Sequence, residues 1–111
     1  MLSKKNRLTF ERDILKTRKG ESVKGSFFVM RAIKNNLRKA RIVVTVGKKV
    51  SLKSVERNLI KRRTLEVIRL LLNQIDYFDI FVFALPRAKS AQYKAIENEI
   101  KQLFNRLKII K

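Results

Sequence analysis

The chain has no cysteine and no histidine, one proline, three glycines and nine acidic residues among 111. Each shortage excludes something. Without Cys there are no disulfides and no thiolate metal sites, which suits a reducing, cytoplasmic setting. Without His the usual general base and the usual transition-metal ligand are gone. The few acids do not gather into a catalytic set. Glu97 and Glu99 are two positions apart and cannot share a helical face, and Asp76 and Asp79 flank a turn, where they read as caps. A two-metal nuclease needs several converging carboxylates. No catalytic residue and no protein-bound metal are therefore expected. The longest apolar run, Ile80 to Leu85, falls far short of the ~20 residues of a membrane-spanning helix. The basic stretch Met1 to Thr9 has no apolar region behind it, as a signal peptide would.

What the chain has in excess is positive charge. Lys and Arg number 28, for a formal net charge of +19. That is well beyond the ~2–8 charges that keep a small domain soluble. Self-repulsion at this level destabilises a compact state, so a polyanionic partner that neutralises it should stabilise the fold. The hydrophobic fraction of 45% is enough for a core. The length suits one domain spanning residues 1–111.

The pattern along the chain predicts helix, strands, helix, strand, helix. Residues 1–8 carry Lys4, Lys5 and Arg7 without a packing pattern and read as a mobile basic arm. Thr9 can cap a short first helix, with Glu11 and Asp13 at its positive end and Gly20 as its stop. Glu21 to Lys24 is a brief strand or a turn. Ser26 to Ile33 and Arg41 to Val46 are rich in β-branched and aromatic residues and read as an antiparallel hairpin turning at Lys34-Asn35-Asn36. A second helix, capped by Ser51 or Ser54, runs to about Gln74. Its first half places Val55, Leu59 and Ile60 on one side and Arg57, Asn58, Lys61 and Arg62 on the other. Phe78 to Leu85 suits a strand buried on both faces, ended by Pro86. Ser90 caps a last helix with a stripe of Tyr93, Ile96, Ile100, Leu103, Phe104 and Leu107. The fold class expected is α+β, a single-domain α/β sandwich.

The most informative segment is Gly47 to Arg63, GKKVSLKSVERNLIKRR. It holds seven basic residues, opposed by Glu56 alone. Set on a folded element, such a face calls for a nucleic acid. Arg57 and Arg62 could clamp phosphates with paired donors and Lys61 could add a point charge. Asn58 either adds directional hydrogen bonds to RNA or bonds a backbone group near Gly47. Lys48, Lys49 and Lys53 lie at the strand-to-helix turn.

A strand ending in Lys48-Lys49, a short turn, and then Val55-Glu56-Arg57-Asn58-Leu59-Ile60-Lys61-Arg62 on a helix resembles the protein subunit of bacterial ribonuclease P. The order of the flanking segments extends the resemblance over nearly the whole chain. Two departures stand out: Leu59 occupies a position where the family usually has Arg, and the turn after Lys49 lacks the family's usual Gly. The resemblance implies a mixed sheet with a left-handed strand-helix-strand crossover, where the general rule would give a right-handed one. It implies a protein that binds a catalytic RNA subunit through Lys48, Lys49, Lys53, Arg57, Asn58, Lys61 and Arg62. The RNA subunit would perform the chemistry with Mg²⁺, the protein itself holding no cofactor and acting as a monomer within the complex. It also implies a groove between the first helix and the sheet for the single-stranded 5′ leader of precursor tRNA. Single strands are held by basic grooves with flat side chains. Phe10, Phe27 or Phe28, with Arg12, Lys16 and Arg31, are the candidates, and strand alternation requires one of Phe27 and Phe28 to face the core. A ribosomal or other structural RNA-binding protein would share the size, charge and mixed α/β character. A DNA-binding module would want a helix-turn-helix pair, which is not evident.

Overall fold

The computed structural model describes residues 2–111, and Met1 lies outside the described residues. Three α-helices and four strands follow in the order α1 (Glu11–Thr17), β1 (Glu21–Lys24), β2 (Phe28–Lys34), β3 (Arg41–Thr45), α2 (Ser54–Leu71), β4 (Phe78–Ala84) and α3 (Tyr93–Arg106). This is an α+β fold with a mixed sheet in the order β1-β2-β4-β3.

The expected β2–β3 hairpin does not form. β4 lies between the two strands, antiparallel to β2 and parallel to β3. The physical reason is burial. Phe78–Ala84 is the most apolar strand, and a central position pairs both its edges and buries all of it except Phe83 and part of Phe78. The segment between β2 and β3 then has to span the width of an intervening strand.

Strand alternation splits the sheet into two faces. Phe28, Met30, Ala32, Ile42, Val44, Ile80, Val82 and Ala84 point toward α2 and α3 and are almost wholly buried. They meet Ile60, Val67, Ile68 and Leu71 of α2 and Ile96, Ile100, Leu103 and Phe104 of α3 in one core. The opposite face carries Val29, Arg31, Arg41, Thr45, Phe81 and Phe83, over which α1 lies.

Residues 2–8 are not a loose arm. Leu2 and Leu8 are buried, 3% and 2% exposed. Lys4–Asn6 forms a single 3-10 turn. Arg7 bridges Ile42 beside β3, and the Leu8 amide donates to the Ile42 carbonyl at 2.9 Å. The two leucines anchor a segment whose lysines still face water.

The acids serve the fold. Glu99 is buried and accepts three backbone N–H groups, from Ser26, Phe27 and Phe28, at 2.7–2.9 Å. A side chain at Gly25 would collide with that carboxylate, its Cβ lying 2.5 Å from the Glu99 carboxyl carbon. Asp79 is not a cap. It lies within β4 and takes two hydrogen bonds from Arg41, at 2.8 and 2.7 Å, and one from Asn35 at 2.8 Å. Asp76 does act locally, accepting the Tyr77 amide at 2.9 Å.

Candidate nucleic-acid interface

The basic face begins at the end of β3. Val50 is buried and pins the turn that follows Gly47, whose carbonyl accepts the Val50 amide at 3.1 Å. Lys48 and Lys49 are thereby left exposed. Lys53, not Ser51 or Ser54, occupies the N-cap position of α2. Ser51 supports the turn from beneath. Its hydroxyl accepts the Lys53 amide at 3.1 Å and donates to Glu56 Oε1 at 2.7 Å. This bond holds the Glu56 carboxyl below its ordinary pKa against some desolvation, with Lys89 and Lys53 adding charge attraction.

The helix is rotated from the expected wheel. The buried side runs through Ile60, Thr64, Val67, Ile68 and Leu71. Val55 is 78% exposed and Leu59 44% exposed. Thr64 hid the true phase. It is polar in the sequence yet fully buried, because its hydroxyl donates to the Ile60 carbonyl at 2.8 Å within the same helix. Asn58, Lys61 and Arg62 are exposed, as expected. Arg57 is only half-exposed, and one of its guanidinium nitrogens donates to the Ser51 carbonyl at 3.0 Å. It therefore both presents charge and ties the turn to the helix. Among the described residues, none of Lys48, Lys49, Lys53, Arg57, Lys61 and Arg62 forms an ion pair. Six cations on one turn and one helix, none within ion-pair distance of a carboxylate, make a strongly positive surface.

The groove is on the other face of the sheet. α1 is held to the sheet near both ends. Arg41 spans from Asp79 to Asp13 of α1, at 2.7 and 3.3 Å. Hydrogen bonding to Asp79, above all, raises the Arg41 pKa against its partial burial. At the far end Arg31 donates to the Arg18 carbonyl at 2.6 Å. Gly20 sits so close to the Ala32 carbonyl of β2 that no side chain would fit. Between these fastenings lies a recess of about 520 Å³ lined by Ile14, Arg18, Val29, Arg31, Thr45, Phe81, Phe83 and Leu85. Arg18 lies over the Phe81 ring at 5.6 Å, and Phe83 is 37% exposed.

Of the expected groove residues, Arg31 lines this recess. Phe28 does not; it is fully buried on the opposite face, in the core. Phe27 also packs against the core. Phe10 precedes α1 and is 69% exposed, outside the recess lining. Arg12 and Lys16 lie on the outer side of α1 with Glu11, Leu15 and Lys19. The helical period explains the division, since Ile14 and Arg18 are four apart on the sheet-facing side. Phe81 and Phe83, which do line the recess, are not suggested by the sequence because they sit in an apolar run. Their shared parity along the strand, opposite to that of Ile80 and Val82, was the available signal.

The family model for ribonuclease P matches residues 2–108. The chain belongs to the ribonuclease P protein family. The ribonuclease P protein component of Alkaliphilus metalliredigens is 37% identical over 83% of each chain. That of a Pseudanabaena species is 30% identical over 99% of this chain and 97% of its own. Among solved structures, the Staphylococcus aureus RNase P protein superposes with a TM-score of 0.87 at 28% identity, covering 96% of this chain and 98% of the other. The Thermotoga maritima protein, in complex with 1-(4-fluorophenyl)-2-thiourea, gives 0.81 at 27% identity over 90% of this chain and 98% of its own. As a ribonuclease P protein component, the chain is part of a tRNA-processing endoribonuclease, a ribonucleoprotein with an RNA partner. Among the described residues no helix is long and apolar enough to cross a membrane. Nor does any group of three or more His, Cys, Asp or Glu side chains gather as a metal site would require.

Proposed function

We propose that this protein is the non-catalytic, RNA-binding partner in 5′ maturation of precursor tRNA. Its two surfaces have two jobs. The face formed by Lys48, Lys49, Lys53, Arg57, Asn58, Lys61 and Arg62 binds the catalytic RNA, neutralising phosphates that would otherwise oppose its folding. The recess under α1 holds the single-stranded 5′ leader, with the exposed Phe83 ring offering a flat surface and Arg18 and Arg31 offering charge. Mg²⁺ carried with the RNA subunit supplies the hydrolytic chemistry. One copy of the protein acts per complex, in the cytoplasm.

The observation that carries this reading is the unpaired basic surface on α2 and the turn before it, in a family that works with RNA. Reconstitution tests it. Precursor tRNA, the RNA subunit and this chain are combined at low Mg²⁺, and each component is then omitted in turn. Leader removal should depend on both RNA subunit and protein, and protein alone should cleave nothing. Cleavage by RNA-free protein with metal present would overturn the assignment of chemistry to the RNA.

A further inference from the structure

A further recess, bordering the basic face at Arg62, lies between α2 and α3. It has a volume of about 270 Å³ and is lined by Arg62, Arg63, Leu65, Glu66 and Tyr93. Tyr93 is 40% exposed, and Leu65 packs against the core beneath. The one acid in the lining, Glu66, is already engaged by Arg69 through hydrogen bonds of 3.0 and 2.6 Å. Arg62 and Arg63 have no carboxylate partner among the described residues. A half-exposed aromatic ring beside two free guanidinium groups combines the two elements by which proteins hold unpaired nucleotides: a stacking surface and phosphate donors.

We infer that this recess takes one unpaired nucleotide of the RNA subunit, its base against Tyr93 and its phosphate on Arg63. The inference rests on the function proposed above and extends the interface from α2 onto α3. The volume is at the small end for a ligand site and suits one base better than a strand. Charge selects RNA over a second copy of this chain, because two molecules of +19 repel one another. Position selects the RNA subunit over the leader. Arg62 belongs to both the recess and the basic face of α2, whereas the leader groove lies across the sheet under α1.

The test is a set of equilibrium titrations of the full chain with the RNA subunit over a range of salt. Tyr93→Ala and Tyr93→Leu should each weaken binding about 5- to 100-fold without altering the salt slope, because a stacked base releases no counterion. Tyr93→Phe keeps the ring and should bind like the parent. Arg63→Ala should reduce the slope by about one. Denaturant midpoints confirm that each variant is folded, and Tyr93→Leu, which keeps apolar bulk, decides the matter if Tyr93→Ala is not. Parental affinity in a folded Tyr93→Ala or Tyr93→Leu, or an equal loss in Tyr93→Phe, would overturn the site. Failure of the parent chain to bind the RNA subunit at all would overturn the function on which the site rests, and the site with it.

Discussion

The two faces of the sheet are built to different specifications. The face under α2 and α3 is covered by helices of 18 and 14 residues, about 27 and 21 Å long at helical rise. The side chains that meet there are mostly apolar, and the buried Thr64 and Glu99 are satisfied by hydrogen bonds to backbone groups. The other face is covered by α1, only seven residues long, which at about 10 Å cannot span four strands. What it leaves bare is a recess with aromatic rings on its floor and arginines along it. The first face is closed core and the second is open to solvent around Phe83, and the same strands supply both through alternation of their side chains. Phe28 and Phe83 make the contrast concrete, since one belongs to each face.

Exchanging aromatic residues on the two faces should produce the largest difference. Phe28→Ala removes a fully buried ring and should cost about 3–5 kcal/mol, enough to unfold much of a small domain. Phe83→Ala, at a ring 37% exposed, should cost only about 1–2 kcal/mol while weakening binding of a leader-bearing precursor tRNA by about 5- to 100-fold. Comparable destabilisation by both would erase the distinction between the faces.

Helix α2 allows the same comparison within one element. Ile60→Ala should cost about 2–5 kcal/mol in chemical denaturation. Arg57→Ala should cost about 0.5–1.5 kcal/mol, because it breaks the bond to the Ser51 carbonyl as well as removing charge. Leu59→Arg should change stability by less than about 0.5 kcal/mol, since the position is 44% exposed and a long stem can lie along the helix. It should also tighten RNA binding at moderate salt. A loss of several kcal/mol at Leu59 would mean that the helix buries a different side.

How far the sequence could carry these distinctions depends on what kind of signal each left. Element order and the stripe of α3 were legible, because apolar residues there recur with one clear period. The basic face was legible because charge needs no tertiary context. Strand pairing was not. Two strands adjacent in sequence look like a hairpin unless a later, more apolar strand claims the place between them, as β4 does. The phase of α2 was misjudged because Val55 and Leu59 are apolar yet exposed, while Thr64 is polar yet buried by satisfying its hydroxyl within the helix. The buried Leu2 and Leu8 were overlooked beneath the lysines around them. Of the residues the sequence suggests for a groove beside α1, Arg31 alone lines the recess there, while Phe81 and Phe83, which do line it, sit in an unbroken apolar run that gives no sign of a surface.

The smallest expected effect concerns pH. The Glu56 carboxyl is held below its ordinary value of 4.5, mainly by the Ser51 hydroxyl. A carboxylate whose pKa is depressed by folding adds stability that is complete above its unfolded value. That stability is lost as pH falls through the folded value. Ser51→Ala should move the Glu56 titration, followed by NMR, upward toward the ordinary value and flatten that part of the acid response. An unmoved titration would show that Lys89 and Lys53, not Ser51, set it.

On the function proposed above, the cations of α2 and the preceding turn are the main contact with the RNA partner. Binding to the RNA subunit should then depend steeply on salt. With ~6–10 phosphate contacts, affinity should fall about 10³–10⁵-fold between 50 and 200 mM salt, taking RNA to behave roughly like duplex DNA. Replacing Lys49, Lys53 and Lys61 together by Ala should lower the magnitude of the log–log slope by about three. A flat response in the parent chain, or an unchanged slope in the triple variant, would contradict the account.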